Sequence, residues 1–107
     1  MVDGFRYERK LADKLEQEGW HVERVSSSGS RNNSVCDLVG IKDGKAYLIE
    51  VKTRNTKVFY TKPFERNLTE IVKVSEKCKA IPLLAVLFKR RGWKFIQLNS
   101  IPKKILW

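Results

Sequence analysis

Two acidic residues stand inside apolar stretches of this chain. Asp37 interrupts the run VCDLVGI at 35–41, and Glu50 interrupts the run AYLIEVKT at 46–53. A buried charge is costly unless a partner compensates it. Lys52 lies two positions beyond Glu50, so both side chains should face the same side of a strand. These three residues are therefore the first candidates for chemistry.

A tight turn brings the two acids together. Asp43 and Gly44 favour the positive φ angles of a two-residue hairpin loop. Antiparallel pairing about this turn places two residues opposite each other when their numbers sum to about 87. Asp37 should therefore face Glu50. Two adjacent carboxylates repel each other unless a cation joins them. A cross-strand salt bridge with Lys52 is one solution, and a bound metal ion is the other.

Carboxylate oxygens select hard ions, which makes Mg²⁺ the expected metal and Mn²⁺ the alternative. Such an ion can acidify a bound water and clamp the oxygens of a phosphodiester. Lys52 would then orient the attacking water or stabilise charge on the phosphorane. The residues thus favour metal-dependent phosphodiester hydrolysis.

The charge of the chain supports a nucleic-acid partner. Lys and Arg number 22 against 12 Asp and Glu, a formal net charge of +10 over 107 residues. This excess repels itself unless a polyanion offsets it. The cations are spread along the chain and not gathered in one amphipathic helix, which argues against a membrane surface as partner. A basic binding module without catalysis is the competing class, although carboxylates would only weaken its affinity for a polyanion.

The pattern of apolar residues predicts an α/β domain with a mixed central sheet flanked by helices, in the order α-β-β-β-α-β-β. Asp3 is the expected N-cap of the first helix, and Gly19 its expected stop. The stretch 54–63 is basic and aromatic, and we expect it to be irregular. The length predicts one nuclease domain over residues 1–107. The expected helices are 4–18 and 64–79, and the expected strands are 20–25, 35–41, 46–53, 81–88 and 93–98.

Three further side chains are expected to be structural. Cys36 and Cys78 are far apart and lack metal-ligand companions, so we predict two small buried thiols in a reducing compartment. His21 is predicted to be a surface strand residue.

The chain shows no apolar run that could span a bilayer and no signal peptide, so we expect a cytoplasmic protein with no membrane partner.

Several short segments along the chain form a recognisable series. They are YER at 7–9, GW at 19–20, SG at 28–29, CDLV at 36–39, YLIEVK at 47–52, IPLLAV at 81–86 and GWKF at 92–95. Around Asp37, Glu50 and Lys52 the sequence resembles the PD-(D/E)xK nuclease superfamily, and over the whole series it is similar to the archaeal Holliday junction resolvases. The proline of the superfamily motif is Cys36 here, a position that carries no chemistry. The short chain suggests a minimal member of the family, from an archaeal cell or a virus of a prokaryote.

The resemblance implies a restriction-endonuclease-like fold and a two-fold homodimer that cleaves four-way DNA junctions by paired, metal-dependent nicks in recombination and repair. It implies a metal site made of Glu8, Asp37, Glu50 and Val51. It implies that Lys52 acts at the phosphate. The catalytic set by position is Glu8, Asp37, Glu50, Lys52 and Ser28, and the residues expected to contact the junction include Arg9, Arg24 and Ser28.

The stretch after the second acidic strand has two interpretations. Its basic residues and aromatics could grip phosphates and stack on exposed bases, or its aromatics could simply pack down on the core. The candidate DNA contacts here are Arg54, Lys57, Tyr60 and Lys62, the last by a loose match to a mobile loop of the family. Apolar side chains near the end of the chain could form a dimer interface or belong to the core: Trp93, Phe95, Ile105, Leu106 and Trp107.

The catalytic motif leaves the substrate open, because branch selectivity depends on dimer geometry. The alternative function is therefore a nuclease of the same superfamily acting on linear, nicked or single-stranded DNA.

Overall fold

The structure is a computed structural model and describes residues 3–25 and 34–107. The predicted elements are present, with boundaries shifted by a few residues. In chain order they are α1 (Asp3–Gln17), β1 (His21–Arg24), β2 (Leu38–Lys42), β3 (Lys45–Arg54), β4 (Val58–Tyr60), a 3₁₀ turn (Lys62–Phe64), α2 (Glu65–Cys78), β5 (Ile81–Phe88), β6 (Gly92–Gln97) and β7 (Lys104–Leu106).

The central sheet has five strands in the order β1-β2-β3-β5-β6. β3 and β5 are parallel, and the other neighbouring pairs are antiparallel. A parallel pair requires a crossover connection, and the segment that contains α2 provides it. The expected mixed α/β architecture is confirmed.

The hairpin that joins β2 to β3 has the predicted register. Leu38 pairs with Ile49, and Lys42 pairs with Lys45. The turn residues Asp43 and Gly44 have φ angles of 53° and 76°. β2 begins three residues later than expected, because residues 35–37 run into it as non-strand backbone. The candidate acid at position 37 thus lies in a bend ahead of the strand.

Apolar side chains cover both faces of the sheet. On one face Leu11 and Leu15 of α1 pack against Ile49 and the odd-numbered residues of β5. On the other, Leu68 and Ile71 of α2 pack against the even-numbered residues of β5. Strand β5 is therefore buried on both sides, which explains why its sequence is apolar without alternation. This predicted feature is confirmed.

The helix ends agree only in part with the expected capping. Gly19 has a φ of 96° and follows α1, as predicted for a helix stop. Asp3 is the first residue of α1 itself and not the residue before it. α2 ends at Cys78, and Lys79 adopts the left-handed conformation with a φ of 62°. No helix within the described parts of the chain has the length and apolar character that a membrane crossing requires.

Two short strands correct the sequence expectation. The stretch 54–63 is not irregular throughout, because β4 pairs antiparallel with β7 near the end of the chain. Phe59 and Ile105 are partners in this ribbon, and both are buried. Three-residue strands carry too little pattern to be recognised, and their partners here are remote in sequence.

The prediction of two buried thiols is correct for one cysteine and wrong for the other. Cys36 is buried, its Sγ donates to the carbonyl of Leu38, and burial raises its pKa to about 11. Cys78 is exposed at the end of α2, so the prediction of a buried thiol was wrong there. His21 is exposed and contacts Glu23 at 2.7 Å, as expected of a surface strand residue.

Ser75 offers a test of the packing around α2. Its side chain is fully buried, and its hydroxyl has no hydrogen-bond partner among the described residues. Because an unpaired buried hydroxyl is destabilising, we expect Ser75→Ala to raise the free energy of unfolding by about 1 kcal/mol, as measured by urea denaturation. A decrease of more than about 1 kcal/mol would show that the hydroxyl is satisfied.

Candidate active site

The candidate acids and lysine converge where β2 and β3 separate. Pairing between these strands stops at Leu38 and Ile49, while β3 continues to Arg54. Asp37 occupies the gap: its backbone N–H donates to the carbonyl of Ile49 at 2.9 Å, and its Oδ2 accepts from the N–H of Val51 at 2.9 Å. The side chain of Asp37 thus takes the place of the missing strand partner. Its hydrogen bond to Val51 holds the carboxylate against β3.

Glu50 is buried at this position, with 6% of its surface exposed. Its Oε2 lies 3.2 Å from the Nζ of Lys52, on the same face of β3 as predicted. Burial is the main cause that raises the pKa of Glu50 to about 7, and the charge of Asp37 raises it further, while Lys52 opposes the shift. The single positive charge of Lys52 does not offset the combined effect of burial and of Asp37 on Glu50.

Glu8 reaches the same cluster from α1. Its pKa is also raised to about 7, first by burial and then by the charge of Asp37, with which it shares a side-chain hydrogen bond. Arg24 and Lys52 act in the opposite direction and lower the pKa of Glu8. Four of the predicted site residues therefore interact electrostatically, and the charge of Arg24 in β1 also acts on Glu8.

The donor set suits a hard divalent cation. It consists of carboxylate oxygens together with the backbone of Val51, whose carbonyl should face the same side as its N–H. Within residues 3–25 and 34–107, no three acidic, His or Cys side chains already surround a common point. Glu50 is instead turned to Lys52, and Glu8 to Asp37.

An aromatic support for Lys52 was missed by sequence reasoning. The Nζ of Lys52 lies 4.3 Å from the ring centroid of Phe64, immediately before α2. Phe64 stacks on the buried Phe59 with centroids 5.4 Å apart. A ring at this distance attracts the ammonium group and limits its position. The only sequence signal was an aromatic residue at the start of the second helix.

The other residues predicted from the resemblance to contact DNA are Arg24, Arg9 and Ser28. Arg24 also lies over the ring of Phe5 at 5.8 Å. Arg9 is exposed at the helix position after Glu8, and it is rotated from Glu8 by about 100° around the helix axis. Ser28 lies outside the described residues.

Both interpretations apply to the basic stretch after β3, because some of its side chains pack on the core and others are exposed. Arg54 is half-buried and lies 4.6 Å from the ring of Phe59, so it is packed down. Tyr60 is 55% exposed, and Lys57 and Lys62 are exposed as well. A groove of about 720 Å³ opens beside these residues. Its lining includes Tyr60, Lys62, Lys103 and Lys104.

The apolar residues proposed for a dimer interface are also divided. Ile105 is 5% exposed and belongs to the core, so it offers no interface area. Trp93 packs partly on the α1 face of the sheet and stacks on Phe95. Phe95, Leu106 and Trp107 are exposed by 40%, 56% and 46%.

Comparison with known proteins gives concordant matches. The family described as "Archaeal holliday junction resolvase (hjc)" matches residues 2–105. The crossover junction endodeoxyribonuclease of Sulfolobus islandicus rod-shaped virus 1 is 30% identical over 88 residues, which are 81% of this chain and 73% of the viral protein. The crossover junction endodeoxyribonuclease Hjc of Sulfurisphaera tokodaii is 35% identical over 75 residues, which are 67% of this chain and 52% of that protein.

The fold agrees with a solved structure. The Holliday junction resolvase Hjc of Archaeoglobus fulgidus superposes with a TM-score of 0.78 at 25% identity, covering 95% of this chain and 87% of that one. The expected restriction-endonuclease-like fold is thereby confirmed. The matched region spans about half the length of the Sulfurisphaera relative.

Proposed function

This chain belongs to the archaeal Holliday junction resolvase family, and on that premise we propose that it resolves four-way DNA junctions by metal-dependent phosphodiester hydrolysis. The observation that carries the proposal is the cluster of Glu8, Asp37, Glu50 and Lys52 at the gap between β2 and β3. Glu50 is buried and the other two acids are half-buried, and clustered acids with raised pKa values are candidates for a functional site. A divalent ion would supply the positive charge that the cluster lacks.

Glu8, Asp37 and Glu50 would hold a Mg²⁺ ion, with the backbone of Val51 as a further ligand. When bound, a divalent ion supplies positive charge to the phosphoryl oxygens and acidifies water. Asp37 is well suited to a fixed role, because its bond to the N–H of Val51 limits its rotation. Mn²⁺ would fit the same oxygen donors.

Lys52 would stabilise the negative charge that develops on the attacked phosphate. Its ammonium is held between Glu50 and the ring of Phe64, at 3.2 and 4.3 Å. A donor held in place before the reaction is more effective than a mobile one, because it need not reorganise.

DNA would approach over the groove beside Tyr60 and Lys62. Phe64 links this groove to Lys52, since it lies in the 3₁₀ turn that begins at Lys62 and contacts the catalytic lysine. Exposed lysines neutralise phosphates, and an exposed tyrosine ring can stack on an unpaired base at the branch point. Arg24 lies close enough to lower the pKa of Glu8 by its charge, and it would contact the phosphate close to the cut. Arg9 and Ser28 stay in the proposed contact set on the resemblance, and Arg54 and Lys57 stay in it on the basic composition of the stretch after β3.

Paired nicking calls for two copies of the chain. A four-way junction has two equivalent strands, which a two-fold dimer matches with two sites. Phe95, Leu106 and Trp107 are exposed and supply apolar area for such a contact. Sedimentation equilibrium at micromolar concentration tests this, and a stable monomer would contradict it.

Because the matched relatives come from archaea and an archaeal virus, we place this activity inside an archaeal cell. We assign it to a single nuclease domain.

The decisive experiment compares two labelled substrates, a four-way junction and a linear duplex of the same arm sequence. We expect symmetric nicks in the junction with Mg²⁺, at least about tenfold faster than cutting of the duplex, and none in EDTA. Equal cutting of both substrates would instead support a nuclease for linear, nicked or single-stranded DNA. Binding without cutting would support a module that lacks catalysis.

A further inference from the structure

A second basic site lies at the end of the sheet, where the connections after β3 and after β5 meet. Asn55, Lys89, Arg90 and Arg91 line a cavity of about 330 Å³ there. Its lining offers three cations and one amide, and no carboxylate. We propose that this cavity binds a backbone phosphate of DNA other than the one that is cut.

Backbone hydrogen bonds hold the cations in place. The N–H of Lys89 donates to the carbonyl of Arg54 at 2.8 Å, which ties the two connections together. The N–H of Arg91 donates to the carbonyl of Phe88 at 2.8 Å and closes the turn before β6. Arg90 has a φ of 69°, the left-handed conformation that non-glycine residues rarely adopt. The turn therefore gathers three consecutive basic residues at one point in spite of their repulsion.

Among residues 3–25 and 34–107, no acidic side chain pairs with these cations. In the described part of the chain, the basic member of every close acid–base pair is Lys14, His21 or Lys52. The guanidinium of Arg91 instead donates to the carbonyl of Lys89 at 3.5 Å, which aims it along the turn without neutralising it. Uncompensated cations around a cavity attract an anion, and guanidinium groups are suited to phosphate oxygens.

The position of the cavity points to DNA as the source of that phosphate. The Nζ of Lys89 lies 5.1 Å from the ring of Tyr7, and Tyr7 is the neighbour of Glu8 in α1. Asn55 follows Lys52 by three residues, or about 10 Å along an extended chain. One DNA strand places a phosphate at about every 3.4 Å of helix axis. The cavity is therefore within a few nucleotides of the proposed cutting centre.

The inference deepens the proposed function and is tested by binding alone. We would compare Lys89→Gln/Arg91→Gln with the matched control Lys73→Gln/Lys77→Gln, which removes the same charge from the exposed surface of α2. Affinity for a labelled four-way junction is measured in EDTA at several salt concentrations. We expect the cavity variant to bind at least about tenfold more weakly, and its log–log salt slope to fall by about one for each phosphate that it no longer neutralises. The control should change affinity by no more than about twofold.

Equal weakening in both variants, or unchanged affinity in the cavity variant, would overturn the proposal. Arg90→Gln provides a second variant, which removes one cation from the lining of the cavity. It leaves the backbone hydrogen bonds of Lys89 and Arg91 in place, and its melting curve checks that it is folded. If the parent protein binds the junction but does not cut it with Mg²⁺, the proposed function fails. A selective decrease of binding in the cavity variant would still establish the phosphate site.

Discussion

Asp37→Asn and Glu50→Gln are each expected to slow junction cleavage by about 10³-fold while leaving junction binding intact. Each substitution removes one negative charge from the cluster that would hold the metal. Neither should weaken attraction to DNA, since the removed charge repels phosphates. The measurements are single-turnover cleavage with Mg²⁺ and junction binding in EDTA.

The two substitutions are chosen to preserve local structure. Asn at position 37 keeps an oxygen that can accept the 2.9 Å hydrogen bond from the N–H of Val51. Gln at position 50 keeps the length of the glutamate. The matched control is Asp43→Asn, which makes the same charge change in the β2–β3 turn. Asn tolerates the φ of 53° found there. Cleavage should change less than about twofold in this control, and wild-type rates in the first two variants would refute the assignment of the centre.

Without metal, the protein is expected to lose stability as pH rises, and Mg²⁺ should restore it. The pKa of Glu50 is raised from 4.5 to about 7 in the folded state, and that of Glu8 likewise. The folded state therefore binds more protons than the unfolded chain between these values. The corresponding stabilisation is complete below about pH 4.5 and is lost as pH passes through about 7. For the buried Glu50 this amounts to at most about 3 kcal/mol.

Urea denaturation at pH 5 and pH 8, with EDTA or with Mg²⁺, measures both effects. At pH 8 a Mg²⁺ concentration of about 100 times its Kd should add about 2.7 kcal/mol to the free energy of unfolding. At pH 5 the gain should be smaller, because protons compete for the carboxylates. Glu50→Gln should flatten the pH dependence and weaken the Mg²⁺ effect. Glu70→Gln, an exposed acid on α2, serves as the control and should retain both. An unchanged pH profile in Glu50→Gln would contradict the prediction.

Features that depend on neighbouring residues along the chain were predictable. Asp43 and Gly44 determine a turn by their backbone preferences, and the turn determines the register of β2 against β3. That register is what places Asp37 near Glu50. The apolar run of β5 identified a strand covered on both faces, because no polar residue interrupts it.

Features that depend on contacts between distant segments emerged only from the tertiary structure. The ribbon of β4 and β7 joins short segments, and neither is recognisable until the other lies beside it. The burial of Ile105 and the exposure of Cys78 follow from which side of an element meets the core, and short or terminal segments do not reveal that side. The placement of Phe64 under Lys52 likewise requires the chain to return to β3 through a 3₁₀ turn.

The sequence by itself identified Asp37, Glu50 and Lys52, since a charge in an apolar stretch is a local anomaly, whereas Glu8 was added by the resemblance. Their electrostatic state was decided by the fold. Glu8 approaches from a helix, Asp37 fills a gap in the sheet, and Glu50 loses solvent, so their charges act on one another at short range. Burial and proximity are properties of three-dimensional packing, and they are what convert three separate acids into one site.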